Sequence, residues 1–129
     1  MYLANDNTIC AVATPQGIGA VSMVRVSGAK TLDILKKLTH REQFNIRQAY
    51  RCEIFDDNDK QLDDAIIVFY KAPHSYTGED VAEIFIHGSL YIQKTLLETL
   101  INWNVKLAEP GEFTYRAFIN GKMDLLQAE

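Results

Sequence analysis

The stretch "LDDAIIVFYKAPHSYTGEDVAEIFIHGS" (62–89) decides how the chain folds. Residues 62–72 are rich in β-branched and aromatic residues, and 81–87 repeat that character, so each reads as a strand. Between them "PHSYTGED" (73–80) has the composition of a loop, with Pro73 and Gly78 as breakers. Gly88 ends the second strand, and Ser89 is placed to cap a helix running through Trp103. Ile92, Leu96, Leu100 and Trp103 give that helix one apolar stripe.

Outward from this stretch the alternation of strand and helix continues. "TICAVAT" (8–14) and "AVSMVRV" (20–26) read as strands, with "PQGIG" (15–19) turning the chain between them. In the second of these, Val21, Met23 and Arg25 share one face, and Ser22, Val24 and Val26 the other. "TLDILKKLT" (31–39) carries leucines at helical spacing. "YRCEIF" (50–55), the polar turn "DDNDK" (56–60) and the strand at 62–72 form a hairpin. "VKLAEP" (105–110) is a short extended return. Strands outnumber helices, and they are joined by hairpins as well as crossovers. The expected class is therefore α+β, a mixed sheet with packed helices in one domain.

Composition narrows the function. The 129 residues are 47% apolar and 23% charged, which suits one folded core and argues against disorder. Seventeen acids against 13 Lys and Arg give a net charge of −4, the wrong sign for a domain built to grip phosphate backbones. Cys10 and Cys52 are too few and too far apart for a disulfide framework or a metal cluster. They read as buried free thiols of a reducing compartment. "MYLANDNT" lacks the basic and apolar regions of a signal peptide, and no apolar run reaches the ~20 residues of a membrane span. The expected location is the cytoplasm.

Familiar motifs fail on inspection. "GIG" (17–19) has Ser22 where a dinucleotide loop needs its third glycine, and a strand follows instead of a helix. "GK" (121–122) has Arg116 in place of the first Walker glycine and Met123 in place of the magnesium-binding hydroxyl. His40, His74 and His87 are scattered, with no second metal ligand at helical spacing. No nucleophile elbow surrounds a Ser or Cys.

More informative are charges set inside apolar strands: Arg25 in "AVSMVRV" and Glu83 in "VAEIFIH". Two readings stand. Either they lie on a solvated sheet face, or they point into a pocket. There the carboxylate would accept two adjacent N–H donors of a heterocycle and the cation would meet a ligand carboxylate. "PGEFTYRAFINGKMD" (110–124) reads as an ordered loop anchored by Phe113 and Phe118, presenting Arg116 and Lys122 after a turn at Asn120 and Gly121.

Three blocks together resemble the N-terminal domain of the tRNA-modification GTPase family called MnmE or TrmE: "TICAVATPQGIGAVSMVRVSG" (8–28), "PHSYTGEDVAEIFIHGS" (73–89) and "AEPGEFTYRAFINGKMDLLQAE" (108–129). The chain departs from the family pattern at Gln16, usually a second proline, at Ala20, usually glycine, and at Ser89 in the usual His-Gly-Gly run. The resemblance implies the fold of the folate-binding domain of glycine-cleavage aminomethyltransferase-like proteins. It implies a domain that binds 5-formyltetrahydrofolate and forms a homodimer, with Arg25, Glu83 and Lys122 at the family's folate-contacting positions. In the intact family protein it further implies a GTPase domain that uses GTP, Mg2+ and K+, a flavoprotein partner MnmG (GidA), and tRNA whose wobble uridine (U34) receives a 5-carboxymethylaminomethyl group.

On this reading residues 1–121 form the folate-binding and dimerisation domain, and 122–129 begin a truncated helical domain whose end should fray. The GTPase part would be absent, so the chain alone should be neither a GTPase nor catalytic. Two alternatives remain. One is a free-standing folate-dependent one-carbon transferase, which would need an acid/base residue such as Asp80 or Asp124. The other is a purely structural dimerisation domain.

Overall fold

The computed structural model describes residues 7–13 and 20–122. The turn expected at 15–19 and the helical start expected at 123–129 lie outside the described residues.

The elements in chain order are β1 (Ile9–Val12), β2 (Val21–Ser27), α1 (Thr31–Thr39), β3 (Ala49–Phe55), β4 (Gln61–Tyr70), β5 (Val81–His87), α2 (Leu90–Asn102), β6 (Lys106–Leu107) and α3 (Glu112–Ile119). The strands form one mixed sheet in the order β3-β4-β5-β2-β1-β6. Only the β1–β6 pair among them is parallel. The expected α+β class with a mixed sheet and packed helices is what the structure shows.

Period-two alternation divides the sheet into two faces. The register runs Tyr50–Ile67–Ile84–Val24–Val12 across five strands. All but the half-buried Val12 are buried there, under Leu35 and Leu38 of α1 and Leu96 and Leu100 of α2. This is the core, and the stripe Ile92–Leu96–Leu100–Trp103 faces it. Ser89 caps α2 as its sequence position suggests: its side chain accepts from the Ile92 N–H. Both cysteines are buried and free, and burial pushes the Cys10 thiol up to about 12 and raises Cys52 as well. Among the described residues, no helix is long and apolar enough to cross a membrane.

The second face carries the row Val68–Glu83–Arg25–Ala11. It is covered unevenly. At one end Ile9, Ser27 and Val81 are fully buried. At the other Val21 and Ile66 are exposed. The sequence expectation of a loop over 110–122 is corrected here, because most of it is α3. Gly111 enters in the left-handed region (φ 78), the Glu112 carboxylate accepts from the Glu109 N–H, and Glu112 pairs with Arg116 one turn later.

One glycine fixes how loop 73–80 and the start of β1 meet. Gly28 follows β2 at φ 140, donates to the Asp80 carbonyl, and would put a Cβ only 2.6 Å from the Thr8 Cα. Gly28→Ala should therefore cost about 2–4 kcal/mol, adding strained backbone to overpacking. Gly111→Ala, with nothing within 4 Å of the added Cβ, should cost only ~1 kcal/mol for the left-handed backbone. Urea denaturation of the two variants measures the difference.

Candidate functional site

The site is built on the second face, where Arg25 of β2 stands directly opposite Glu83 of β5. Cross-strand neighbours of opposite charge attract. Arg25 Nη2 lies 3.6 Å from Glu83 Oε2, too long for a hydrogen bond but close enough for an ion pair. Their side chains are only about 20% exposed, so the reading of a fully solvated sheet face does not hold. The other Glu83 oxygen, Oε1, accepts from the Tyr70 hydroxyl at 2.9 Å. The Tyr70 phenol is raised, first by burial and then by the bond to Glu83 and its charge, against the opposing pull of Arg47 and Arg25.

Aromatic rings enclose the Arg25 guanidinium. Its Cζ lies 4.9 Å from the Tyr76 ring centroid and 5.5 Å from that of Phe113, both within cation–π range. Its Nε is buried, with no hydrogen-bond partner among the described residues. A cavity of about 430 Å³ opens beside this group, lined by Arg25, Glu83, Tyr70, Tyr76, His74 and Arg47 among others. That volume lies in the range of small-molecule sites. On the other side of Arg25 and Tyr76, a second hollow runs along β1 and the start of α3, past Pro110 and Phe113.

The rings stay where they are because loop 73–80 and α3 are latched together. Arg116 is buried on α3, donating to both Glu79 oxygens at 3.0 and 3.2 Å and to Glu112 Oε2 at 3.1 Å. Glu79 also accepts from Ser27 Oγ at 2.7 Å, which shares a 2.7 Å bond with the buried Thr77 hydroxyl. The Asn120 amide donates to the Thr77 carbonyl, and the Tyr76 and Thr114 hydroxyls meet at 2.9 Å. Arg116 is thus not presented outward, as the sequence suggested. It is the centre of a polar network that ties the "SYTGED" loop to α3 and to the end of β2.

Of the three residues singled out from the sequence, the structure brings Arg25 and Glu83 together. Lys122 is exposed where α3 ends, its backbone N–H bonded to the Ala117 carbonyl and its stem over Gly78. It does not line the Arg25–Glu83 cavity. Asp80, the acid considered for one-carbon transfer, holds loop 73–80 by accepting from the Ala72 N–H and pairing with Lys71. Asp124 lies outside the described residues. Sequence reasoning missed Tyr70, Tyr76 and Arg47. A tyrosine ending an apolar strand looks like core, and no spacing flags a loop arginine.

His87 is oriented by a different carboxylate, away from this cavity. Asp63 accepts from the His87 ring Nδ1 at 2.8 Å and from its backbone N–H at 2.9 Å. Burial raises the Asp63 pKa, but these donors and the Asp64 N–H outweigh it and bring it below the ordinary 3.8.

The comparisons with known proteins agree with one another. The family model described as "GTP-binding protein TrmE N-terminus" matches residues 8–122. Proteins named tRNA modification GTPase MnmE match along nearly all of the chain. That of Aquifex aeolicus (strain VF5) is 50% identical, over 94% of this chain and 27% of the relative. That of Helicobacter acinonychis (strain Sheeba) is 48% identical, over 96% and 27%. That of Sulfurovum sp. (strain NBC37-1) is 43% identical, over 96% and 28%. The chain spans little more than a quarter of the length of these curated relatives.

Two predictions follow from the geometry. Arg116→Met should destabilise the domain by about 3–5 kcal/mol in urea, since it leaves Glu79 and Glu112 without their cation. Asp63→Asn should remove a contribution that is complete above pH 3.8. As the folded-state value is the lower one, the gap between wild type and variant should close as pH falls through it. Parallel urea titrations at pH 6 and on acidification check this.

Proposed function

That the chain belongs to the TrmE N-terminal family is the premise from which we propose that it is the reduced-folate-binding and homodimerisation domain of a tRNA-modification GTPase. The ligand in this reading is 5-formyltetrahydrofolate, and the intact protein acts on the wobble uridine (U34) of tRNA with the flavoprotein MnmG. When bound, the folate supplies a one-carbon unit. GTP, Mg2+ and K+ belong in this reading to the GTPase domain of the intact protein. Residues 1–121 form the folate domain and 122–129 begin the next.

The observation that carries the reading is the Arg25–Glu83 pair at the wall of a half-enclosed aromatic cavity. A pterin presents an amino group and a ring N–H side by side, the donor pattern that a carboxylate accepts in parallel. Glu83 is suited to it because Tyr70 and Arg25 hold its two oxygens in fixed directions, and each oxygen has a further lone pair. Arg25 suits the ligand's carbonyl oxygens. Tyr76 and His74 supply aromatic surface for a flat ring. Lys122 enters by the family resemblance, as a further cation near the ligand.

The acidic balance of the chain, −4 overall, suits a division of labour in which tRNA is held by other parts of the protein.

Calorimetric titration of the purified chain with 5-formyltetrahydrofolate tests the proposal. Glu83→Ala and Arg25→Ala should each weaken binding at least tenfold, the loss expected for a charged hydrogen bond in a shielded site. Unchanged affinity in both variants would refute it. Sedimentation of the same sample should give a dimer. A dimer with no folate affinity would instead favour the purely structural alternative.

A further inference from the structure

We propose that Arg47 is a specificity-determining residue of this cavity, selecting ligands that carry a carboxylate tail. The inference rests on the folate reading above and adds to it a residue and a part of the ligand.

The cavity wall holds two guanidinium groups, Arg25 and Arg47, and one carboxylate, Glu83. Arg25 is the one paired with Glu83. Among the described residues, the Arg47 side chain has neither a carboxylate partner nor a hydrogen bond. One positive charge at the cavity is therefore left over for a ligand. It stands near enough to the Tyr70 phenol to oppose the rise in its pKa. Arg47 belongs to the segment between α1 and β3, whereas Glu83 lies on β5. A ligand whose ring sits on Glu83 would thus project its far end toward a different wall.

The backbone adds a second line of support. Arg47 has φ 61, a left-handed conformation that an arginine does not favour. It is held there by its N–H bond to the Phe69 carbonyl at 2.7 Å, beside the parallel bridge between Ile46 and Phe69. The segment is fixed further by the Asn45 N–H donating to the Tyr50 hydroxyl at 2.8 Å and by Arg41 stacked 4.1 Å over the Tyr50 ring. Glycine would sit at position 47 without strain. The side chain is retained at a conformational cost, and it faces the cavity.

The chemistry selected is a flat N–H-bearing ring at one end and carboxylate at the other. Guanidinium pairs with carboxylate through two parallel hydrogen bonds, which an ammonium cannot reproduce. A glutamyl tail meets this demand, and a chain of γ-linked glutamates meets it repeatedly.

The test is calorimetric titration of the full chain with three ligands: 5-formyltetrahydrofolate, its tri-γ-glutamate, and 5-formyl-6-methyltetrahydropterin, which lacks the tail. The variants are Arg47→Gly, whose backbone suits the left-handed conformation and keeps the fold, and Arg47→Lys. Arg47→Gly should weaken both glutamyl ligands about tenfold and leave the tail-less pterin unchanged. Arg47→Lys should recover part of the loss. Added salt should weaken glutamyl binding in wild type more than in Arg47→Gly. Equal affinities in wild type and Arg47→Gly, or equal losses for tailed and tail-less ligands, would overturn the role of Arg47 while leaving the folate reading intact. Failure of wild type to bind any of the three would overturn both.

Discussion

The docking of loop 73–80 and α3 on the second face of the sheet depends on one buried guanidinium. Arg116 bonds to Glu79 in loop 73–80 and to Glu112 on its own helix, and through Glu79 it reaches Ser27 at the end of β2. A short helix such as α3 has little stability alone, and loop 73–80 has only local bonds, such as Ala72 N–H to Asp80 and Glu79 N–H to the Thr77 hydroxyl, to shape it. Docking against each other fixes both. A buried ion pair need not add net stability compared with an apolar substitute, but apolar packing would not specify one docking angle as two carboxylates on separate elements do. That angle sets Tyr76 and Phe113 around Arg25.

The sheet supplies the other half of the constraint. Because side chains alternate, placing Val24 and Ile84 in the core forces Arg25 and Glu83 onto the second face, and register sets them opposite each other. A slip by one residue would bury both charges against Leu35 and Leu96. The hydrophobic pattern that folds the domain is therefore also what aligns the site.

Legibility in the sequence follows from this division. The strands at 81–87 and 21–27 and the helix at 90–102 were readable because one physical cause, burial of one face at a fixed period, wrote each of them. The pairing of Arg25 with Glu83 was half readable: both charges stood out in apolar strands, but their opposition depends on strand order, which no local pattern encodes. Helix α3 was misread as loop because its content is aromatic and β-branched, with Pro110 and Gly111 before it and Asn120 and Gly121 after it. Its helical signal was the Glu112–Arg116 spacing alone. Arg116 seemed outward-facing because its partner Glu79 is far away in sequence. Arg47 was invisible for the same reason, since the wall it completes is built from Tyr70, Tyr76 and Glu83.

Comparing the two partly hidden arginines separates fold from function. Arg116 is among charged acceptors on two sides, and its guanidinium is engaged by Glu79 and Glu112 at hydrogen-bonding distance. Arg25 is less buried and lies between two rings, yet among the described residues its ion pair to Glu83 is long at 3.6 Å and its Nε has no acceptor. A buried donor left unmade costs about 1–3 kcal/mol. A protein that needed Arg25 only for stability would do better with an apolar residue, as Met23 beside it illustrates on the same strand face. In the proposed reading that cost is tolerated because the rest of the guanidinium is held for a ligand, between the Tyr76 and Phe113 rings and opposite Glu83. By the same logic Arg47, strained and without a partner among the described residues, belongs with Arg25 and not with Arg116.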